Sequence, residues 1–133
     1  MSTNRSMPSA TIIPELSYPD VREAVDWLCR VFGFKERLRI GAHRAQLQFG
    51  SGSLVVTHGG ETNPTFSIMV RVVDVDSHYA TVVSNGAQTL SKPADYPYGE
   101  RQYVVLDIGG HRWTFSQTIA DVDPSTWGGQ LFE

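Results

Sequence analysis

A strand near the end of the chain carries the side chains best suited to chemistry, within the stretch GGHRWTFSQ at 109–117. The paired glycines predict a tight turn, and alternation along the strand that follows puts Trp113 and Phe115 on one face. Arg112 and Thr114 share the opposite face. An arginine there binds a ligand carboxylate or phosphate if the face is enclosed, and pairs with a nearby acid if it lies at a rim. Both interpretations of Arg112 stay open.

Two further groups of side chains are candidates for ligand binding. Gln46 and Gln48 alternate with apolar residues on another predicted strand, so their amides either hydrogen-bond a ligand or face water. Tyr96 and Tyr98 lie in the loop DYPYGER at 95–101, where their rings can stack on a flat compound and their hydroxyls offer a polar contact. Tyrosines in proline-rich loops also pack on protein surfaces, and the pattern does not choose between the two.

Metal chemistry would need imidazole, thiolate or carboxylate groups close together. The chain has four histidines, at the start of the third predicted strand, after the fourth, in the second helix and in the last turn: His43, His58, His78 and His111. We expect them to face solvent or to hydrogen-bond in turns rather than to share an ion. Glu15 is one acid without partners. The single cysteine, Cys29, lies among apolar residues of a helical pattern and is expected to be a small buried hydrophobe.

Composition bounds the class of protein. With 133 residues, 41% of them hydrophobic and 19% charged, the chain is expected to form one soluble domain. A net charge of -3 without a basic stripe argues against nucleic acid as a partner. The N-terminus lacks the apolar core of a signal peptide and no run could span a bilayer, so we expect a cytoplasmic protein with no membrane partner. Residues 1–9 are polar and predict a disordered tail.

The first half of the chain predicts one strand, one helix and three strands. The segment TIIPEL at 11–16 is the first strand, and the helix after it is capped by Ser17 or Asp20 and ended by Gly33. Its apolar stripe consists of Val21, Ala24, Val25, Leu28, Val31 and Phe32. The three strands follow at 34–40, 43–50 and 53–58, with a glycine-containing turn between the last two.

The same order of elements then starts again. We predict a strand at 66–75, a helix at 76–87, a strand running into a loop at 89–99, and a hairpin from 101–108 and 111–117. Asp20-Val21 aligns with Asp74-Val75, so 10–60 and 61–118 form an internal repeat. The predicted fold class is α+β: two βαβββ modules forming one curved, cup-shaped mixed sheet of about eight strands, with the helices outside and a ligand cleft inside.

A doubled unit with these motifs resembles the vicinal oxygen chelate superfamily, which contains glyoxalase, bleomycin-resistance proteins and extradiol dioxygenases. The resemblance covers residues 10–118, and its best matching segments are YPDVREAVDWLCRVFGF at 18–34 and YGERQYVVLDIGGHRWTF at 98–115. The run from Asp107 to His111 keeps the glycines of the family's turn but lacks its proline and second acid.

The resemblance also implies four metal-ligand positions, which usually hold two histidines and two glutamates. In this sequence the four positions fall at Ile13, Val55, Ser67 and Thr114. Isoleucine and valine have no lone pair, and serine and threonine hydroxyls are poor ligands for a divalent ion without carboxylate or imidazole help. We therefore expect no metal and no other cofactor.

These observations favour a metal-independent small-molecule-binding protein of the bleomycin-resistance type, which sequesters an aromatic or amphipathic compound such as an antibiotic. The residues expected to bind it are Gln46, Gln48, Tyr96, Tyr98, Arg112 and Thr114. Two alternatives stay open. One is a glyoxalase-like lyase, isomerase or dioxygenase, with displaced metal ligands or with Glu15 or a histidine as a metal-free base. The other is an interaction module, so enzymatic activity is undecided.

The C-terminal extension at 119–133 carries three large apolar side chains, Trp127, Leu131 and Phe132. Because such side chains are costly to leave in water, we expect the extension to pack on the body of the protein or on a second subunit. The resemblance implies a homodimer, which is the usual assembly of single-chain members of the family.

Overall fold

The computed structural model describes residues 4–60 and 67–132. It contains two compact units, the first formed by Met1–Asn63 with Ile108–Gly110 and the second by Pro64–Asp107 with His111–Glu133. Each unit is built on one sheet. Within the described ranges, no helix is long and apolar enough to cross a bilayer.

The first unit has the predicted order of one strand, one helix and three strands. Its elements are β1 (Glu15–Tyr18), α1 (Val21–Trp27), a π-helical turn (Leu28–Phe32), β2 (Lys35–Ile40), β3 (Arg44–Phe49) and β4 (Gly52–His58). The strands lie in the order β1-β4-β3-β2, with β1 parallel to β4 and the other pairs antiparallel. A parallel pair needs a crossover connection, and the helical segment begins it.

Helix α1 begins and ends by ordinary capping chemistry. Asp20 rather than Ser17 is the cap, because its Oδ1 accepts the backbone N–H of Glu23 at 3.1 Å. Gly33 ends the helical segment with φ 88°, a left-handed conformation that favours glycine. The predicted apolar stripe is buried. The last part of the predicted helix, Leu28–Phe32, is a π-helical turn and not α-helix.

Strand β1 begins later than the predicted strand at 11–16. Its parallel register with β4 starts at Glu15, which lies opposite Val55. The preceding residue, Pro14, has no N–H to extend the ladder, although its carbonyl accepts the N–H of Val55 at 2.9 Å. Ile12 is 81% exposed, so the start of TIIPEL lies outside the sheet.

The second unit repeats the order with one strand interrupted. Its elements are β5 (Ile68–Arg71), α2 (Val75–Ser84), β6 (Gln88–Thr89), β7 (Ala94–Tyr96), β8 (Glu100–Leu106), β9 (Arg112–Thr118) and a 3₁₀ turn (Pro124–Trp127). The strand order is β5-β9-β8-β6, with β7 also paired to β8. Strand β5 is parallel to β9, as β1 is to β4.

Two strand predictions for this unit were wrong in their bounds. The strand predicted at 66–75 stops at Arg71, because Asp74 caps α2 by accepting the N–H of Ser77 at 3.1 Å. The strand predicted at 89–99 is the pair β6 and β7, which both pair with β8. Between them lies Pro93, which cannot donate to a ladder.

Each helix packs on its own sheet. In the first unit, Ala45, Leu47 and Val56 are fully buried on the strands under α1. In the second, Trp113 is fully buried as predicted, and its indole N–H donates to Asp107 Oδ2 at 2.9 Å. Phe115 shares its face and stacks on His78 of α2, with ring centroids 4.1 Å apart. The α+β class with two βαβββ modules is confirmed, while their closure into one cup stays a prediction.

The C-terminal extension contacts the loop before β8. The Ile119 N–H donates to the carbonyl of Gly99 at 2.9 Å. Trp127 packs edge-on against Tyr98, with ring centroids 5.5 Å apart. Leu131 and Phe132 are exposed. These contacts lie within the second unit, and contact with a second subunit stays a prediction.

An ion pair between α1 and β2 makes the first unit sensitive to acid. The two Arg22 guanidinium nitrogens Nη1 and Nη2 donate to the Glu36 carboxylate at 2.7 and 2.9 Å, and Arg39 donates to the same carboxylate. These hydrogen bonds lower the pKa of Glu36 from 4.5 to about 2. Because the folded-state pKa is the lower one, the stabilisation is present above the unfolded value and is lost as pH falls toward about 2.

We expect Glu36→Gln to lower the free energy of unfolding by roughly 1–2 kcal/mol at neutral pH, with the difference from the parent shrinking below about pH 4.5. Urea unfolding of both proteins between pH 7 and pH 3 measures it. Asp121→Asn removes an exposed acid and serves as the control. A Glu36→Gln effect that is absent at neutral pH, or constant across this range, would contradict the assignment.

A glycine holds the loop before β8 against the extension. Gly99 has φ 83°, and a Cβ added there would collide with the Ala120 carbonyl oxygen. Gly86 has a similar φ of 78°, but a Cβ there would enter open space.

Gly99→Ala should therefore lower the free energy of unfolding by at least about 1 kcal/mol more than Gly86→Ala, which carries the backbone strain alone. If urea unfolding gives the same loss of free energy for both variants, the C-terminal extension moves away from the added Cβ without an energetic penalty.

Candidate functional site

The two family ligand positions of the second unit lie side by side. Strands β5 and β9 are parallel with Met69 opposite Thr114, and Ser67 precedes Met69 by two residues. The Ser67 Oγ and Thr114 Oγ1 atoms are 3.0 Å apart, a hydrogen bond between hydroxyls. The two positions that the resemblance assigns to one metal site are therefore neighbours, and they satisfy each other.

The first unit has the same register with apolar side chains. Glu15 lies opposite Val55 as Met69 lies opposite Thr114, and Ile13 precedes Glu15 by two residues. In the internal repeat, this register makes Val55 equivalent to Thr114. Val55 is 3% exposed and Ile13 is half-buried. Two aliphatic side chains and two mutually bonded hydroxyls do not fit the N, S and carboxylate ligands that a divalent metal needs.

The histidines do not rebuild a metal site. His43 and His58 are exposed, as predicted. His78 Nδ1 hydrogen-bonds the Tyr103 hydroxyl at 2.5 Å on the helix side of the second sheet, and burial raises the pKa of that phenol. His111 is buried rather than solvent-facing, and its backbone N–H donates to Asp107 Oδ1. Among the described residues, no three His, Cys, Asp or Glu side chains lie close enough to hold an ion.

The single acid considered as a rebuilt ligand or base is also engaged. Glu15 is exposed, and its Oε1 accepts the Arg44 guanidinium at 2.7 Å. Cys29 is half-buried, and burial raises the pKa of its thiol. A thiol with a raised pKa is a weak nucleophile at neutral pH, which agrees with its predicted role as a packing residue.

The predicted tyrosines form part of an exposed set of rings. Tyr96 and Tyr98 are stacked, with centroids 5.5 Å apart and planes 16° from parallel. Trp127, which lies in the C-terminal extension, packs edge-on against Tyr98. The exposed fractions of the three residues are 40%, 37% and 45%. We call Tyr96, Tyr98 and Trp127 the aromatic cluster.

A row of polar side chains begins at the aromatic cluster. The Tyr98 hydroxyl donates to Gln102 Oε1 at 3.0 Å, and Gln102 Nε2 donates to Ser116 Oγ at 3.0 Å. The Ser116 hydroxyl in turn donates to Glu100 Oε1 at 2.6 Å. Every bond in this polar row points from the phenol toward the carboxylate. The Tyr98 oxygen therefore keeps its lone pairs for an additional donor.

Glu100 is held ionised at the end of the polar row. Hydrogen bonds from Ser116 and Thr118 lower the pKa of its carboxyl, and the charge of Arg71 adds to the effect. Gln102 and Ser116 are buried at 8% and 1% exposure. A buried polar pair that ends on a carboxylate is a fixed, polarised support for Tyr98.

The predicted glutamines are not equivalent. Gln46 is 4% exposed, and both ends of its amide are used: Oε1 accepts Arg37 Nη1 at 2.6 Å and Nε2 donates to the Ser6 carbonyl at 2.8 Å. Gln48 is half-buried opposite Ser53. The predicted tail thus contributes a carbonyl to Gln46 in this structure, although its predicted disorder stays a prediction.

Arg112 and Thr114 lie in different environments. Arg112 is exposed, and it belongs to none of the ion pairs among the described residues. Arg112 is therefore not buried within the second unit, and its role as a ligand contact stays a prediction. Thr114 is half-buried and bonded to Ser67, so its hydroxyl is partly accessible. The second unit therefore brings together Tyr96 and Tyr98, but it does not place Arg112 beside them.

Sequence reasoning missed four contributors to these contacts, Gln102, Ser116, Trp127 and Arg37. Ser116 was visible on the alternating face of β9, yet its partner Gln102 had no signal of its own in a strand of mixed residues. Trp127 was expected only to pack. Arg37 had no signal at all, because it owes its position to an irregularity in the register of β2 with β3.

Comparison with known proteins places these features in a family. Residues 12–115 match the model of the Glyoxalase/Bleomycin resistance protein/Dioxygenase superfamily. The solved structure of TioX from Micromonospora sp. ML1 is 36% identical, with a TM-score of 0.71 over 86% of this chain and 100% of that chain. An uncharacterized protein of Mycobacterium bovis is 27% identical over 130 residues, which cover 83% of this chain and 84% of that protein.

A more distant structure shares only the fold. The genomically encoded fosfomycin resistance protein FosX from Listeria monocytogenes is 13% identical, with a TM-score of 0.70 over 84% of this chain and 94% of that chain. The family match spans both βαβββ units, including the four altered ligand positions. The chain therefore belongs to the glyoxalase/bleomycin resistance protein/dioxygenase superfamily.

Proposed function

We propose that this protein is a metal-independent small-molecule-binding protein that sequesters an aromatic or amphipathic compound. The observation that carries the proposal is the aromatic cluster, in which three large rings stay exposed and the hydroxyl of one of them, Tyr98, is bonded to a buried polar row. Such an arrangement offers stacking area at low entropic cost, since the rings already hold one another in place.

The polar row supports a more specific ligand chemistry. The Tyr98 hydroxyl hydrogen is donated to Gln102, so the phenol oxygen keeps its lone pairs for a donor on the bound compound. A bound compound is expected to place an N–H or O–H donor on that oxygen while its ring lies on Tyr96 or Trp127. Planar aromatic compounds with a donor beside the ring are thus the favoured class.

The donor set at the family ligand positions supports independence from metal. Ser67 and Thr114 are bonded to each other, and Ile13 and Val55 offer no lone pair. Sequestration needs no activated group, so a chain with these residues can still bind a compound. Sequestration of an antibiotic is the use that a family including bleomycin resistance proteins suggests, and it is part of this proposal.

The alternative of an enzyme would need a base aimed at the bound compound. Glu100 is the carboxylate of the polar row, but its lowered pKa makes it a weak base near neutral pH. No described contact favours this alternative over binding. Assembly as a homodimer and a cytoplasmic location remain parts of the proposal that follow from the resemblance.

Substitutions in the aromatic cluster test the binding proposal. We expect a panel of planar aromatic compounds to raise the Tm of the parent protein, and the best of them to lose about fivefold in affinity in Tyr98→Ala and in Trp127→Ala, because stacking contributes about 1 kcal/mol per ring pair. Tyr98→Phe keeps the ring and should weaken only compounds that carry a donor.

The control is Tyr79→Phe, which removes a hydroxyl from a half-buried ring that packs on Tyr103 away from the cluster. Its affinity for the same compound should equal that of the parent. Unchanged affinity in both alanine variants, with both proteins folded by circular dichroism, would remove the cluster from the binding site.

Metal content tests the other half of the proposal. After exposure to nickel, zinc, manganese and iron(II), followed by desalting, elemental analysis should find far less than one metal ion per chain, because the family positions lack suitable donors. The matched comparison is Ser67→His with Thr114→Glu, which restores one imidazole and one carboxylate at adjacent positions and should raise the bound fraction. Near-stoichiometric metal in the parent would overturn the proposal.

A further inference from the structure

The first unit holds part of its own N-terminus on a built hydrogen-bond site. Residues Asn4–Pro8, which we call the N-terminal segment, lie on the first sheet. Arg37 Nη2 donates to the carbonyl of Arg5 at 2.8 Å, and Gln46 Nε2 donates to the carbonyl of Ser6 at 2.8 Å. Two neighbouring backbone carbonyls are thus bound by two side-chain donors.

The two donors are fixed by each other and by burial. Arg37 Nη1 donates to Gln46 Oε1 at 2.6 Å, which orients the amide so that its NH₂ group faces the segment. Gln46 is 4% exposed with the N-terminal segment in place, and both ends of its amide are hydrogen-bonded. We call Arg37 and Gln46 the carbonyl clamp.

Arg37 reaches the clamp because strand β2 is irregular. Glu36 lies opposite Leu47 and Leu38 lies opposite Gln46, so Arg37 is an extra residue between two paired ones. Such a β-bulge changes the direction of a side chain, and bulges are common beside functional sites. Glu36 pairs with Arg22 of α1, so it faces the helix, whereas Arg37 is turned toward Gln46.

The N-terminal segment itself is held weakly. Asn4, Arg5, Ser6 and Met7 are exposed, and Pro8 is the buried residue of the segment. The segment closes a single turn, with the Met7 N–H on the Asn4 carbonyl at 3.2 Å and the Ser6 N–H on Asn4 Oδ1 at 3.0 Å. The hydrogen bonds from the clamp go to main-chain carbonyls of the segment, so another peptide chain in this turn would offer the same acceptors.

We propose that the carbonyl clamp is a binding site for peptide-like compounds, and that the N-terminal segment occupies it as a displaceable internal ligand. The compound must present two carbonyl oxygens one residue apart and turned to the same side, as Arg5 and Ser6 do. The site lies in the first unit, whereas the aromatic cluster lies in the second. It is therefore a second recognition element, and it stands or falls independently of the proposed function.

Trypsin cleavage after Arg5 measures release of the segment in the full chain. Cleavage of a segment that opens and closes rapidly follows the population of the open form. Arg37→Met and Gln46→Leu each remove donors to the segment and should raise the initial rate of this cleavage, followed by mass spectrometry, by about tenfold. Arg44→Met, on the neighbouring strand, and Gln88→Leu, at an exposed position of β6, should leave the rate unchanged.

A synthetic peptide tests whether an external compound takes the place of the segment. The probe is acetyl-Asn-Ala-Ser-Met-Pro-amide, which keeps the turn and both carbonyls but has no trypsin site. At millimolar concentration it should accelerate cleavage after Arg5 in the parent and have no effect on the rate in Arg37→Met. A chain that begins at residue 10 should bind the probe at least about tenfold more tightly than the full chain, since no internal ligand competes.

Two results would overturn the proposal. One is an unchanged cleavage rate in both clamp variants, which would show that the clamp does not hold the segment. The other is a probe that fails to accelerate cleavage in the parent, which would show that the clamp binds only its own chain. Both arms use the full chain, so they decide the question even if the shortened chain does not fold. No aromatic compound enters either arm.

Discussion

The first strand of each unit lies parallel to the last, and the other elements are arranged around this pairing. Parallel neighbours cannot be joined by a tight turn, so each unit carries its helix early, between its first strand and the hairpins that follow. The pairing also fixes chemistry, since it sets Ser67 beside Thr114 and gives Ile13 and Val55 the same register. The positions where the resemblance places the family's metal ligands are thus set by sheet topology.

We propose two different ways for these units to hold a compound. In the second unit, stacked rings rest on a row of hydrogen bonds that ends on an ionised carboxylate. In the first, a guanidinium and an amide bind backbone carbonyls. Neither arrangement strongly polarises a bond of a bound compound, because the charged groups Glu100 and Arg37 already hydrogen-bond to protein partners. Both suit recognition better than catalysis.

The sequence predicted what depends on local chemistry and periodicity. The cap at Asp20, the end of the helix at Gly33, the buried Trp113 and the hairpin order all follow from such rules. Strand bounds were less predictable. The parallel register of β1 with β4 leaves Ile12 outside the sheet. In the second unit, Pro93 interrupts a predicted strand because it has no N–H to donate to the ladder. The clamp could not be predicted, since a bulge at Arg37 depends on pairing with a distant strand. Trp127 was recognised as an apolar residue that packs, but its contact with Tyr98 depends on tertiary packing.

The bulge in β2 has a second effect, on the behaviour of the chain among its own copies. Strand β2 is an edge of the first sheet, and a regular edge presents a row of free N–H and C=O groups to any other strand. The extra residue interrupts the spacing of that row, and Lys35 adds an exposed positive charge along it, whereas Arg39 is paired with Glu36. A second β2 brought alongside would meet both mismatched spacing and like charge. The residue that shapes a recognition element therefore also discourages edge-to-edge aggregation.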